Sequence, residues 1–397
     1  MNKKLLKTGA EDFISNNLNT DIMSVLLQKP VFAAISNREL AEQIESKNKC
    51  KNKLPSWYNS EKIYYPNKLN IEQSSSEITA SYKSRIVSGK SLVDLTGGLG
   101  VDSFFFSQEI KTVVHCEISK DISEIAAHNF TVLGAQNIHV EQIDGLEFIK
   151  NTAAKFDWIY LDPSRRALNS KKVFKLSDCK PNVVPHLELL LTKSKQVLIK
   201  TSPLLDISIG LNQLVQVKEV HIVAVNNEVK ELLWVIQEGY SDEVKVNTIN
   251  FNKGMEDTYN FLWAEEKRIT ATYGAPQKFL YEPNVAILKG GAFKRVARDL
   301  KVDKLDEHSH LYTSQKWVEF PGRTFRIIEV FDYNKKGLKH LIGTKANVTV
   351  RNFPESVATI RKKFGIKDGG ENYLFFTTIN KSALKVIKCT KIKTALQ

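Results

Sequence analysis

Between Ser91 and Gln237, segments rich in β-forming residues alternate with segments of helical periodicity, and this alternation constrains the fold most strongly. Five strands are predicted here, at residues 91–95, 112–117, 138–142, 156–161 and 195–200. The clearest helix is predicted at 119–133, where apolar residues recur at helical spacing. Strands that alternate with helices form a parallel sheet with helices on both faces.

The end of this region breaks the alternation. Val220–Val225 and Val229–Gln237 are two β-rich runs separated only by Asn226-Asn227-Glu228. No helix fits between them, so they predict an antiparallel hairpin. The expected fold class is therefore α/β, with a Rossmann-like sheet of seven strands that ends in an antiparallel hairpin.

The rest of the chain is predicted to form smaller parts around this sheet. We expect a helical N-terminal region at 1–80, the α/β domain at 81–240, an α+β domain at 241–320 and a basic α+β domain at 321–397. Within them, the polar stretch Glu45–Lys53 is expected to be a loop. The serines that follow Gln73 are expected to begin a helix that reaches about Val87, and Ser202-Pro203 to begin one after the fifth strand.

Positive charge is concentrated at the C-terminal end. From Arg323 onward the chain has 16 lysines and arginines but only 5 acidic residues, and this excess is most of the net charge of +13. A concentrated basic segment is typical of domains that bind phosphate backbones. The alternative is an ordinary solvated basic surface, but the uneven distribution favours nucleic acid.

Several function classes are not supported. The four cysteines are far apart and form no Cys-x-x-Cys pair, which argues against a zinc site and a disulfide framework. The histidines lack metal-ligand spacing, so no metal is expected. No apolar run is long enough to cross a bilayer, and the first residues lack the apolar stretch of a secretory signal. We therefore expect no membrane partner and a cytoplasmic location.

In an open parallel sheet, ligands bind beyond the carboxyl ends of the strands. A glycine-rich turn follows the first strand and contains the candidate ligand-binding residues Asp94, Thr96, Gly97, Gly98 and Gly100. Glycines there allow a ligand to approach the backbone closely. Ser103 stands where the dinucleotide fingerprint requires a third glycine, which weakens the prediction of a nicotinamide enzyme.

Acidic residues follow the next two strands. Glu117 is placed to accept the hydroxyls of a ribose, and Asp144 is placed to accept the amine of an adenine. Their neighbours Ile118 and Gly145 are further candidate contacts. The alternatives are an exposed glutamate and an aspartate that caps a helix.

Before the first strand, Gln73 and Ser75 could line the same site, although a role in helix capping is the stronger interpretation. Lys200, at the end of the fifth strand, could meet a phosphate or remain solvated. None of Gln73, Ser75 and Lys200 indicates a specific function by its residue type alone.

The most specific feature follows the fourth strand, where the sequence is Asp162-Pro163-Ser164-Arg165-Arg166. The amino group of a nucleobase is a poor nucleophile because its lone pair is delocalised into the ring. The carboxylate of Asp162 and the carbonyl of Pro163 could hold such an amine and orient its lone pair. The alternative is an Asp-Pro turn followed by two surface arginines.

Together these motifs resemble class I methyltransferases that depend on S-adenosylmethionine (SAM), particularly those that modify exocyclic amines of RNA. The resemblance is closest to bacterial members with a ferredoxin-like segment and a C-terminal THUMP-like domain, and it covers nearly the whole chain. Besides the two motifs after Asp94 and Leu161, it rests on the following family-like segments: Glu72–Glu77, Tyr281–Asn284, Phe320–Arg323 and Arg351–Pro354.

The resemblance implies that SAM is the cofactor, that structured RNA such as tRNA or rRNA is the partner, and that residues 162–165 form the catalytic motif. The family pattern differs at two positions, because Ser164 replaces the usual second proline and Arg165 the aromatic residue that stacks on the target base. An arginine can also stack on a base or bind a phosphate.

Three further interpretations remain. The chain could methylate a protein or a small molecule, or it could be a catalytically silent RNA-binding protein with the SAM fold. A nicotinamide-dependent enzyme ranks behind these, because the predicted terminal hairpin is typical of the methyltransferases.

Overall fold

The computed structural model describes residues 1–165 and 175–392. The chain forms two compact units. One comprises Met1–Val217 and Trp234–Tyr240, and the other comprises Lys218–Leu233 and Ser241–Gln397. Within the described residues, no helix is both long and apolar enough to span a membrane.

The N-terminal region is helical, as predicted. Its helices are α1 (Thr8–Asn16), α2 (Ile22–Leu27), α3 (Asn37–Lys53), α4 (Pro55–Asn59), α5 (Lys68–Gln73) and α6 (Glu77–Ser84). Buried side chains from α1, α2 and α3 share one hydrophobic core cluster, which explains why these short helices are ordered together.

The prediction of a loop at Glu45–Lys53 is wrong, because these residues form the second half of α3. The helix begins with a capping box, in which the hydroxyl of Ser36 accepts a hydrogen bond from the backbone N–H of Glu39 and the Glu39 carboxylate accepts one from Ser36. Ile44 and Cys50 are buried on its inner face. Packing of this face outweighs the polar composition of the other.

Two predicted helix starts also need correction. The helix that follows Gln73 begins at Glu77, after Ser76 as its N-cap, and ends at Ser84 rather than near Val87. The helix after the fifth long strand begins at Ile207 instead of Ser202, because the carboxylate of Asp206 accepts a hydrogen bond from a backbone N–H of its first turn.

The central α/β region follows the predicted alternation closely. Its long parallel strands are β1 (Ser91–Asp94), β2 (Thr112–Cys116), β3 (Ile138–Glu141), β4 (Phe156–Leu161) and β7 (Ser194–Thr201). The short strands β5 (Ser164–Arg165) and β6 (Cys179–Lys180) pair separately. The helices are α7 (Val101–Glu109), α8 (Lys120–Val132), α9 (Gly145–Asn151), α10 (Leu187–Lys193) and α11 (Ile207–Gln213).

The predicted hairpin is present as β8 (Val217–Val225) and β9 (Glu228–Gln237). Asn226 and Asn227 join the strands, and both have positive φ angles, of 51° and 59°. This is the backbone of the tight turn that matches the twist of a hairpin, and asparagine tolerates it better than most residues.

The α/β fold class is confirmed, and the main sheet has nine strands where seven were expected. Its order is β11-β10-β8-β9-β7-β4-β1-β2-β3. The two added strands are β10 (Lys245–Asn252), parallel to β8, and β11 (Met255–Leu262), antiparallel to β10. Residues 245–262 therefore extend the large sheet, although the sequence placed them in the following domain.

A second sheet forms the C-terminal part, with order β13-β14-β12-β15-β18-β17-β16. Its strands are β12 (Phe279–Pro283), β13 (Asp303–Lys304), β14 (Tyr312–Ser314), β15 (Gly322–Asp332), β16 (Asn347–Arg351), β17 (Asn372–Ile379) and β18 (Ala383–Lys391). The remaining helices are α12 (Glu265–Arg268), α13 (Val285–Gly290), α14 (Phe293–Asp299), α15 (Lys335–Leu338) and α16 (Val357–Phe364).

Candidate active site

A pocket of about 770 Å³ lies in the first unit, at the carboxyl ends of β1 to β4. All the residues predicted to bind the cofactor line it: Gln73, Ser75, Asp94, Thr96, Gly97, Gly98, Gly100, Glu117, Ile118, Asp144 and Gly145. Its size is that of ordinary small-molecule sites. The parallel sheet brings together residues that are far apart in the sequence.

The predicted catalytic motif is only partly at this pocket. Asp162 and Ser164 line it, whereas Pro163 is buried and does not. The backbone of Arg165 forms the end of β5, but its side chain and the whole of Arg166 lie outside the described residues. Within the described residues, no group of acidic residues, histidines and cysteines could hold a metal ion.

The glycine-rich turn has the backbone that its sequence predicts. Gly98 and Gly100 have positive φ angles, of 56° and 78°. A Cβ atom at Gly100 would lie 2.2 Å from the ring of Phe130, so a side chain there is excluded both by conformation and by space. The turn therefore brings bare backbone to the pocket, as close binding of a ligand requires.

Asp94 is almost fully buried next to this turn and stabilises it through hydrogen bonds. Its carboxylate accepts hydrogen bonds from the Thr96 N–H at 3.0 Å and from the Ser103 hydroxyl at 2.7 Å. Burial raises the pKa of Asp94 to about 7. The same Ser103 hydroxyl lies 2.9 Å from Nδ1 of the buried His115, whose pKa burial lowers to about 4.

The carboxylate of Glu117 lies beside the glycine-rich turn and is held by two backbone N–H groups. Gly98 donates to its Oε2 at 2.9 Å, and Ser119 donates to its Oε1 at 2.7 Å. Each carboxylate oxygen can accept a second hydrogen bond. A diol that faces the pocket could therefore be held by both oxygens. Beside it, Ile118 is 68% exposed and offers an apolar surface to a flat ring.

Asp144 is the N-cap of α9. Its Oδ1 accepts hydrogen bonds from the N–H groups of Leu146 at 2.9 Å and Glu147 at 3.2 Å. The structure describes no partner for Oδ2, and the residue lines the pocket. The capping interpretation is thus confirmed, and it leaves one oxygen available for a ligand.

Asp162 is positioned by its backbone and its side chain. Its N–H donates to the Thr96 hydroxyl at 2.7 Å, which connects the Asp-Pro motif to the glycine-rich turn. Its Oδ2 forms an ion pair with the ammonium group of Lys200. Oδ1 has no partner among the described residues. Lys200 is only 16% exposed, so it is not the solvated lysine that the sequence allowed.

A buried ion pair forms part of the pocket wall, because its carboxylate, Asp102, lines the pocket, and no motif in the sequence indicates it. Lys83 of α6 pairs with Asp102 of α7 at 3.2 Å, and Ser75 and Tyr160 both donate hydrogen bonds to Asp102. Burial raises the pKa of Asp102, but Lys83, Lys200 and these hydrogen bonds outweigh it and hold the pKa below its ordinary value.

The signals for this cluster were weak. Ser75 donates to Asp102 rather than capping a helix, because Ser76 is the cap of α6. An acidic residue in the first turn of a helix, such as Asp102, is usually explained by the helix dipole alone. Nothing in the sequence indicates that Lys83 is completely buried.

The segment after β6 also lines the pocket and was not predicted. Ser164 pairs with Lys180 in the β5–β6 ladder, and this places Lys180, Asn182 and His186 at the pocket. Their sequence shows no motif, so only the strand pairing identifies them as candidates.

Comparison with known proteins identifies the two C-terminal parts. A family model described as a ferredoxin-like domain matches residues 279–321, and one described as a THUMP domain-like domain matches residues 322–391. No curated protein matches the chain.

Several solved structures are similar. A protein from Porphyromonas gingivalis W83, described as a candidate methyltransferase, is 33% identical, with 99% of each chain covered and a TM-score of 0.89. An rRNA methylase from Streptococcus thermophilus is 13% identical over 40% of this chain and 93% of its own, with a TM-score of 0.29. M. capricolum TrmK, solved with S-adenosyl-homocysteine, is 16% identical over 41% of this chain and 70% of its own, with a TM-score of 0.32.

The full-length similarity to the P. gingivalis protein extends over every part of the chain, including the two domains that the family models match. The chain therefore belongs to the bacterial class I SAM-dependent methyltransferases that have a ferredoxin-like segment and a C-terminal THUMP-like domain.

Proposed function

We propose that this methyltransferase modifies an exocyclic amine of a base in structured RNA, such as tRNA or rRNA. The observation that carries the proposal is the carboxylate of Asp162. It lies in the same pocket as Glu117 and Asp144, and its Oδ1 has no partner among the described residues. The free Oδ1 of Asp162, beside the proposed nucleoside site, suits a methyl-accepting substrate that presents N–H groups.

The pocket residues fit SAM in their chemistry. Glu117 has acceptor capacity on two fixed oxygens for the ribose hydroxyls, and Asp144 has a free Oδ2 for the adenine amine. The exposed side chain of Ile118 would cover a face of the adenine ring. When bound, SAM supplies an electrophilic methyl group on a sulfonium centre.

Asp162 would accept an N–H of the target amine at Oδ1 and so hold its lone pair in the required direction. Pro163 itself does not line the pocket but stands between Asp162 and Ser164, which do, and its carbonyl is proposed as a second acceptor. Lys200 holds the other oxygen of Asp162 and thereby fixes the rotation of the carboxylate. We propose that Ser164 and Arg165 contact the base or its phosphate, in place of the family's proline and aromatic residue.

RNA is the proposed partner because of the C-terminal part of the chain. The THUMP-like match at 322–391 covers nearly all of the segment that contains the concentrated positive charge. We propose that residues 321–397 bind the RNA, and a cytoplasmic location goes with such a substrate. The opposite charges of this segment and of a phosphate backbone favour association at low salt.

The test is incubation of the purified protein with labelled SAM and total RNA from a strain in which the gene for this protein has been deleted, followed by nucleoside analysis. We expect a methylated base, and we expect Asp162→Ala to abolish transfer while SAM binding measured by calorimetry changes little. Asp121→Ala is a matched control, since that side chain is 83% exposed in α8. It should retain wild-type turnover.

A second variant tests the role of Lys200. Lys200→Met should lower kcat by roughly ten- to a hundredfold, because the carboxylate of Asp162 could then rotate away from the amine. SAM affinity should stay within about twofold.

Full turnover by Asp162→Ala would disprove the role of the Asp-Pro motif. Absence of methylated RNA would favour a protein or small-molecule acceptor if SAM binds, and a silent RNA-binding protein if it does not.

A further inference from the structure

Three sequence segments that have no role in the pocket meet in the second unit. They are Tyr281–Asn284, Phe320–Arg323 and Arg351–Pro354. In the structure their charged members converge on one side chain, the carboxylate of Glu282, which is 3% exposed. A convergence of this kind needs an explanation, because burying a carboxylate is costly unless it is paired.

The pairing uses strands that are distant in the sheet. Arg323 lies opposite Glu282 on the neighbouring strand β15, and its Nε donates to Oε2 at 2.6 Å. Arg351 ends β16, the edge strand on the other side of the order, yet its Nη2 lies 2.7 Å from Oε1. The sheet curls far enough to bring the end of β16 back to β12.

Gly322 allows the arginine beside it to reach Glu282. A Cβ atom at Gly322 would lie 2.1 Å from the carbonyl oxygen of Glu282 and 2.8 Å from the N–H nitrogen of Asn284. Both are backbone atoms and cannot move aside. The Asn284 N–H also donates to the Pro321 carbonyl at 3.1 Å. The two segments are thus held together at the point where Arg323 projects.

The arginines are only partly used by these contacts. A guanidinium has five N–H groups. Arg323 donates from Nε to Glu282 and Arg351 donates from Nη1 to the Val350 carbonyl, while the Nη2 of each arginine forms an ion pair with Glu282. Among the described residues, each arginine therefore has three N–H groups without a partner. Their side chains are 34% and 37% exposed.

The local charge is positive. One buried carboxylate faces two guanidinium groups, which leaves an excess of one positive charge. Lys391 lies on the adjacent strand β18 and is exposed. Partial burial of the Lys391 side chain is the largest cause that lowers its pKa, and the nearby charges of Arg323 and Lys253 lower the pKa further. Lys391 and Lys253 therefore add to the positive charge on the Arg323 side of the pair, and an anion bound there would relieve this repulsion.

We propose that Arg323 and Arg351, held by Glu282, form a binding site for a backbone phosphate of RNA. This inference rests on the RNA substrate proposed above. Guanidinium groups match the oxygens of a phosphate in planar, bidentate geometry, and a fixed side chain loses less entropy on binding. Each arginine is about one third exposed, so its remaining N–H groups can reach a phosphate from the solvent side.

The test measures the affinity of the full-length protein for a fluorescently labelled RNA hairpin with a 5′-hydroxyl end. Arg323→Gln and Arg351→Gln should each weaken binding about tenfold and reduce the slope of log Kd against log salt by about one. Arg326→Gln is the matched control, since Arg326 lies exposed on the same strand and forms no ion pair with any described residue. It should weaken binding less than about twofold.

A double variant separates the site from overall charge and from loss of folding. Glu282→Gln with Arg323→Gln keeps the net charge of the wild type and leaves no unpaired buried carboxylate. We expect it to keep the wild-type circular dichroism spectrum and to bind the hairpin about tenfold more weakly. Wild-type affinity of this variant, or equal losses for all three single arginine variants, would overturn the site.

Two readouts keep this proposal distinct from the proposed function. SAM binding by calorimetry should be unchanged in every variant. If the wild type methylates RNA but the arginine variants bind the hairpin normally, only the phosphate site is wrong. If hairpin binding depends on the arginines but no RNA is methylated, only the proposed reaction is wrong. Equal competition by polyglutamate would assign the pair to a carboxylate ligand and overturn the phosphate assignment.

Discussion

At the scale of single residues, two buried titratable groups beside the glycine-rich turn should make the stability of the fold depend on pH. Asp94 and His115 both contact the hydroxyl of Ser103. With its pKa raised to about 7, Asp94 retains a proton that the unfolded chain loses above about pH 4. Its contribution to stability is therefore present at low pH and declines as the pH rises toward about 7.

His115 acts in the opposite direction. Its pKa is lowered to about 4, so between about pH 4 and 6.5 the unfolded chain binds a proton that the folded state does not. Its contribution to stability therefore rises with pH across that window and is lost as the pH falls toward about 4. In the wild type the contributions of Asp94 and His115 partly cancel.

Asp94→Asn should make the contribution of His115 visible. The asparagine can still accept a hydrogen bond from Thr96, so the turn should be retained. We expect the free energy of unfolding of the variant to rise by about 2 kcal/mol between about pH 5 and 6.5, and that of the wild type to change less. Urea unfolding at both pH values measures this. Parallel curves for the two proteins would show that Asp94 does not offset His115.

At the scale of elements, α3 shows how a local signal can be present and still be overlooked. The lysines and asparagines of its second half suggested a loop, but Ser36 and Glu39 are the two halves of a capping box. The box fixes where the helix begins, and burial of Ile44 and Cys50 extends it to Lys53. Composition alone is a weaker indicator than caps and apolar spacing considered together.

Ser36→Ala should therefore destabilise the protein by about 1 kcal/mol, because the N–H of Glu39 loses its acceptor. Thermal or urea unfolding measures the difference. Ser24→Ala in α2 is a suitable control, since its exposed hydroxyl donates to the Asp21 carbonyl and, within the described part of the chain, accepts no backbone N–H. A loss in the control as large as in Ser36→Ala would argue against the capping box.

At the scale of the whole molecule, the two proposed ligands should respond differently to salt. Positive charge is concentrated after Arg323, whereas the pocket proposed for SAM is built from carboxylates and backbone N–H groups. We expect RNA affinity to fall at least about tenfold between roughly 50 and 200 mM salt, and SAM affinity to change less than about twofold. Filter binding and calorimetry measure the two. Equal salt dependence would contradict a charge-driven RNA site.

The sequence predicted much of the pocket because its signals are local. Asp94, Glu117, Asp144 and Asp162 each follow a strand, and the carboxyl ends of parallel strands share one edge of the sheet. The partners of these residues could not be predicted in the same way. Lys200 and Asp162, or Lys83 and Asp102, pair across elements that the sequence does not align.

By itself, the sequence determined the alternation of strands and helices, the hairpin at Asn226-Asn227, the edge of the sheet at which the pocket lies and the concentration of charge after Arg323. Periodicity, turn chemistry and charge are local properties, which is why they are visible without coordinates. Only the tertiary structure decided the nine-stranded sheet, the pairing of Lys200 with Asp162 and the meeting of Arg323 and Arg351 at Glu282. Strand pairing and sheet curl join distant residues through packing of the whole chain, and no local pattern encodes them.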